Sequence, residues 1–275
     1  MKKNIIILLM LLTVVGCKQK IDQDKPVITV SIEPLRYFTE QIVGDRFTVV
    51  TIVPKGSSPE TYEPTAQQMV DLVHSGLFVM VGQLGYERTW MKRMESTALH
   101  TIVVDSSEGI NLISTGNGIS DPHVWMSTAN AMVIARNIYQ RIVDVDSRDS
   151  LYFHQNLEQL MSKIETTDTK IRECFTRDKS VAFLIYHPAL TYYARDYHLR
   201  QIPVEEEGHE PSAAQLKQAI KEARQLAVKT MFVQKQFQNR NTQIVTKAVG
   251  AKRQEINPLS YNWPDEMLKI AQLMK

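Results

Sequence analysis

Apolar positions in this chain keep two rhythms that alternate. Short β-branched and aromatic runs, Val27 to Val30, Phe47 to Val53, Leu77 to Val81 and Thr101 to Val104, read as strands bounded by polar or glycine-containing segments. Helical spacing fills the gaps, around Tyr37 to Val43, Thr65 to Ser75 and Tyr86 to Met94. Such βα alternation predicts a mostly parallel sheet with helices on both faces. After Asp121 the chain turns helical, and from about Ser150 to Phe175 one long stripe appears. Leu157, Leu160, Met161, Ile164, Ile171 and Cys174 recur at spacings of three, four and seven among Glu, Lys, Gln and Thr. A helix of that span is about 39 Å long at roughly 1.5 Å per residue. It can cross from one lobe to another, although the same stripe also suits a helix packed on one lobe.

A second alternation follows: strands over Val181 to Tyr186, Arg200 to Val204, Thr230 to Val233 and Gln254 to Ile256, with helices over Pro211 to Leu226, Gln238 to Val249 and Pro264 to Met274. Pro211 fits the first turn of its helix, where a missing N–H costs nothing. The expected architecture is α/β: two βα lobes with mostly parallel sheets, residues 27–147 and 178–275, joined by a long rigid interlobe helix over 148–177.

The first residues change where this domain is expected to work. Lys2 and Lys3 precede an apolar run from Ile5 to Val15, well short of the ~20 residues a membrane-spanning helix needs. Residues 1–16 therefore read as an export signal, and Gly16-Cys17 resembles the bacterial lipoprotein signal, in which the cysteine becomes the lipid-bearing first residue. Residues 17–26 are a polar tether. Cys174 is then the one remaining thiol, so stability must come from packing rather than an internal disulfide. A net charge of +2, with two positive residues in the signal, argues against nucleic-acid binding.

Candidate chemistry lies in loops at predicted strand ends. Asp121-Pro122-His123-Val124-Trp125 puts a histidine in a rigid, aromatic-flanked turn, and Tyr186-His187-Pro188 puts a second directly after an apolar run. A neutral, well-aimed imidazole is what a metal ligand requires. The Gly56 to Thr65 loop and Asn257-Pro258-Leu259 occupy comparable positions. An exported metallohydrolase with Glu60 or Glu63 as base is disfavoured, because there is no His-Glu-x-x-His helix, nucleophile elbow or phosphate loop. Haem, a cobalamin or an iron chelate would need a broad apolar cleft, whereas these loops are compact and polar.

Together these loops resemble those of the solute-binding lipoproteins of bacterial ABC importers for zinc and manganese, the cluster A-I receptors with a rigid interlobe helix. The likeness covers nearly the whole mature chain. Pro59-Glu60-Thr61-Tyr62-Glu63-Pro64-Thr65 matches a family loop whose second position is usually histidine; Asp121 to Trp125 and Tyr186 to Ala189 match directly; Asn257-Pro258-Leu259 stands where Asp-Pro-Leu is usual. The resemblance implies a metal set of Glu60, His123, His187 and Asn257, with one negative charge in total. It implies Zn2+ first, with Mn2+ or Fe2+ favoured more than by three histidines, because oxygen donors suit harder cations. Gln234 stands where the family often has glutamate and is expected to line the site. If Asn257 does not coordinate, a carboxylate of the run Glu205 to Glu210 is the first substitute, with Glu207 and His209 the named candidates. The expected protein is a monomeric, non-enzymatic receptor, lipid-anchored through Cys17 at a bacterial membrane, periplasmic or outer-surface, and delivering its cation to an ABC permease. Affinity is expected to fall below about pH 6.5, the unperturbed histidine value.

Overall fold

A computed structural model of the protein describes residues 25–94, 101–116, 118–175, 182–205, 210–237 and 240–274. The export signal, Cys17, Glu207 and His209 lie outside the described residues. The first half runs β1 (Val27–Val30), α1 (Glu33–Val43), β2 (Thr48–Thr51), α2 (Ala66–Val73), β3 (Leu77–Met80), α3 (Gly85–Met94) and β4 (Ile102–Asp105). Its strands form a parallel sheet in the order β2-β1-β3-β4. A small antiparallel hairpin, β5 (Ser114–Gly116) and β6 (Ile119–Ser120), leads to α4 (Thr128–Val145) and α5 (Ser150–Phe175). The second half runs β7 (Ala182–Ile185), α6 (Thr191–Asp196), β8 (Arg200–Pro203), α7 (Ala213–Gln225), β9 (Thr230–Gln234), α8 (Arg240–Val249), β10 (Lys252–Ile256) and α9 (Trp263–Leu273). Its sheet is also parallel, in the order β10-β9-β7-β8. Among the described residues no helix is long and apolar enough to cross a membrane.

In each sheet the direction of strand addition reverses beside its first strand, β1 or β7. Loops leaving the carboxyl ends of strands near such a reversal form the ligand crevice of open α/β sheets. The Glu60 loop follows β2, His187 follows β7 and Asn257 follows β10, so the topology brings loops from both halves to one crevice.

The predicted stripe on α5 is real: Phe153, Leu157, Leu160, Met161, Ile164, Thr167 and Ile171 are buried along 26 residues. The helix packs on α1 and α4 of the first half and on α9 of the second. One continuous core results, running from Val30, Phe38 and Val79 through Ile134 and Ile164 to Phe183, Phe232 and Trp263. Trp263 of α9 meets Phe38 of α1 edge-on, with ring centroids 5.2 Å apart. Side chains alternate across β7 and β9, so Leu184, Met231 and Val233 instead join a smaller core with Ala219, Ala223 and Val245 of α7 and α8.

Two local expectations change. Pro211 lies outside its helix, because Ser212 is the N-cap: its hydroxyl accepts the Gln215 N–H while the Gln215 side chain accepts the Ser212 N–H. The hairpin β5-β6 and the six-residue α6 also escape the periodicity reading, since neither is long enough to establish a repeat.

Candidate metal centre

His123 is aimed by Asp121. One oxygen, Asp121 Oδ1, accepts the His123 backbone N–H at 2.8 Å and its ring Nδ1–H at 2.9 Å. The turn is in turn pinned at Asp121, whose N–H donates to the Ile113 carbonyl at 2.8 Å and whose carbonyl accepts the Tyr192 hydroxyl at 3.0 Å. With Nδ1–H committed to a carboxylate, Nε2 presents its lone pair outward.

His187 is held the same way from the other half. Its Nδ1 lies 3.2 Å from Glu205 Oε2 and 3.3 Å from Oε1. Glu205 is delivered by backbone pairing that continues past the end of β8: Val204 N–H donates to Ile185 O and Glu205 N–H to Tyr186 O, each at 2.9 Å. Phe237 stacks on the imidazole at 5.1 Å between centroids, and Gln234 Nε2 donates to the His187 carbonyl at 2.9 Å. Both histidines, Asp121, Glu205 and Gln234 are buried.

Glu60 enters from the loop between β2 and α2. Gln68 closes the base of that loop, donating to the Ile52 carbonyl at 2.6 Å and accepting from Tyr62 Oη at 2.8 Å and Thr65 N–H at 2.9 Å.

The three side chains converge. Glu60 Oε1 lies 3.2 Å from His187 Nε2 and 3.7 Å from His123 Nε2, and the two Nε2 atoms are 3.2 Å apart. A tetrahedral cation with bonds of about 2.1 Å needs donors about 3.4 Å apart. Because both Nδ1–H groups are turned to carboxylates, the converging atoms are three acceptors with no donor among them. Only a cation or a proton relieves that arrangement. Burial lowers the proton affinity of His187, but the hydrogen bonds its protonated ring donates to Glu205 and Glu60, together with their charges, outweigh it and raise its pKa to about 9. Burial likewise pushes the Glu60 carboxyl up, and the His187 hydrogen bond with the charge of both histidines brings it below its ordinary value. Asp121 is also lowered, its burial being overcome by His123. Proton competition at His187 therefore begins well above the pH of 6.5 expected from an unperturbed ring.

The other predicted residues fall differently. Asn257 is exposed; its Oδ1 accepts the Leu259 N–H at 3.2 Å, and it lines a separate cavity of about 330 Å3 with Glu33 and Lys55. Its neighbours Pro258 and Leu259 do reach the cluster. Gln234 lines a nook of about 20 Å3 against the three converging side chains, and its buried Oε1 has no hydrogen-bond partner among the described residues. His74, His154 and His198 are exposed and apart from the cluster. The roles of Asp121 and Glu205 were missed; the signal for the first was a carboxylate two residues before a histidine. Glu87 was missed as well: its buried carboxylate accepts from Ser31 Oγ and the N–H groups of Val81, Gly82 and Leu84, fixing the loop after β3 that walls the cleft.

A family profile described as ZnuA, zinc-uptake complex component A, periplasmic, matches residues 28–272. The high-affinity zinc uptake system protein ZnuA of Bacillus subtilis strain 168 is 27% identical over 254 residues, covering 86% of this chain and 79% of that protein. The manganese ABC transporter substrate-binding lipoprotein PsaA of Streptococcus anginosus is 26% identical over 229 residues, covering 76% and 72%. A crystal structure of ZnuA superposes with a TM-score of 0.86 at 31% identity, covering 90% of this chain and 97% of that one.

Proposed function

Because this chain belongs to the ZnuA family of periplasmic zinc-uptake components, we propose that it is an extracytoplasmic receptor that captures Zn2+ between its lobes and delivers it to an ABC permease. Its ligands are Glu60, His123 and His187. The family is one of binding proteins rather than enzymes, and the cation is cargo, held without any reacting group. One observation carries the reading: three buried or part-buried acceptors from both halves lie 3.2–3.7 Å apart with their donor atoms turned away. Tethering through lipidated Cys17 and action as a monomer complete the proposal, the first supported by the signal sequence and by lipoprotein relatives such as PsaA.

Manganese or iron is the second reading, favoured by the carboxylate oxygen of Glu60 in place of an imidazole. Elemental analysis of protein purified without added metal, followed by competition between zinc and manganese, separates the two. In zinc titrations, His123→Ala and His187→Ala should each weaken binding by about 100-fold or more, since each removes one of three protein donors. Near-wild-type titration of both variants would remove them from the site.

A further inference from the structure

The ligand atoms face a cleft of about 670 Å3 on one side and the nook of about 20 Å3 on the other. A bare cation fills a small part of such a cleft, whose volume falls in the range of small-molecule sites, about 300–1,000 Å3. Domain closure does not account for the space. Donors from both halves already stand at coordination distance, and the halves share one core, so drawing the lobes closer would crowd the donors rather than shut the cleft. Zinc takes four donors, and among the described residues, with Asn257 turned to solvent, Glu60, His123 and His187 supply three.

The walls have a definite character. Among the described lining residues Arg88 is the one Lys or Arg side chain; it is exposed on α3 and makes no ion pair with another described residue. Gln83 and Gln218 add amide groups to the wall, Glu60, Asp121 and Glu205 make the metal end acidic, and Glu222, also on the wall, is paired with Arg200. A free anion is repelled by those carboxylates. The same anion bound to a divalent cation is not, because the cation neutralises the acidic end and the guanidinium takes an outlying carboxylate.

We propose that the cleft receives the cation together with a small carboxylate-bearing chelator, which occupies the open coordination position with one donor and places a carboxylate on Arg88. This rests on the receptor reading above and specifies the form of its cargo. Native mass spectrometry and titration calorimetry test it with zinc sulfate alone, citrate or L-histidine alone, and zinc with either chelator. Wild-type protein should bind zinc alone, neither chelator alone, and zinc plus chelator as a ternary complex. Arg88→Ala should bind zinc alone as before but hold the chelator at least about tenfold less tightly, as the loss of one charge-assisted contact implies. Zinc-only adducts with both chelators, or equal chelator retention by Arg88→Ala, would overturn the proposal. Failure of the zinc-only arm would instead overturn the receptor reading beneath it, and the chelate proposal with it.

Discussion

Asp121 and Glu205 touch the far nitrogens of the two histidines, and the proposed site depends on them for aim as much as on the ligands for donors. Removing the charge on such a partner typically costs about 10–100-fold in metal affinity. Asp121→Asn should therefore weaken zinc binding by that order while the far-ultraviolet circular dichroism stays unchanged; unaltered affinity would mean His123 is aimed by packing alone. Asn257 gives the opposite expectation. Its oxygen is spent on the Leu259 N–H, so Asn257→Ala should leave zinc affinity within about threefold, well below the effect of losing a metal donor. A loss near 100-fold would make Asn257 a ligand after all. The histidines and Glu60 were legible in the sequence because each sits in a self-contained loop with a recognisable local pattern. The partner of His187 was not legible, because Glu205 reaches it through the register of two parallel strands, and no spacing along the chain encodes that.

At the scale of elements, long amphipathic α5 was visible from its stripe, but the contacts that fasten it were not. Asp168 on α5 accepts the Thr128 hydroxyl of α4 at 2.7 Å, the Tyr197 hydroxyl just after α6 at 2.8 Å and Arg172 Nε at 2.7 Å. Burial pushes this carboxyl up, and the hydrogen bonds of Arg172, Thr128 and Tyr197 overcome it and bring the pKa below 3.8. A folded-state pKa below the unfolded value stabilises the fold above the unfolded value, and that contribution is lost as pH falls through the folded one. Asp168→Asn should thus cost about 1–2 kcal/mol in urea unfolding at pH 7, allowing for its partial exposure. The gap from wild type should shrink below about pH 4, where the unfolded chain's carboxylate takes up a proton that the native one still resists. A difference that does not change with pH would assign the loss to shape rather than charge. The short elements α6 and β5-β6 stayed invisible for a simpler reason: they are held by contacts from elsewhere, such as the Tyr192 hydroxyl accepting the Ile113 N–H at 3.1 Å.

At the scale of the whole molecule, the halves are stitched as well as packed. Trp125, beside His123, donates its indole N–H to the Pro258 carbonyl at 2.8 Å, and Trp263 donates to the Trp125 carbonyl at 2.7 Å. Both bonds are buried, where breaking one leaves an unsatisfied group at about 1–3 kcal/mol. Small-angle scattering with and without zinc should accordingly show a change in radius of gyration below about 1 Å, the scale of a preorganised site; a larger contraction would reveal a hinge. The α/β class and the two strand series followed from the hydrophobic rhythm, whereas the fusion of the halves did not, because periodicity reports which face of a helix is apolar and not whose surface covers it. The shared hydrocarbon interior also restricts how such a receptor can be altered. A chimera joining the first half of this chain to the second half of a relative would meet a mismatched seam along α5, so a change of cargo is far easier at the loop tips than by exchanging lobes.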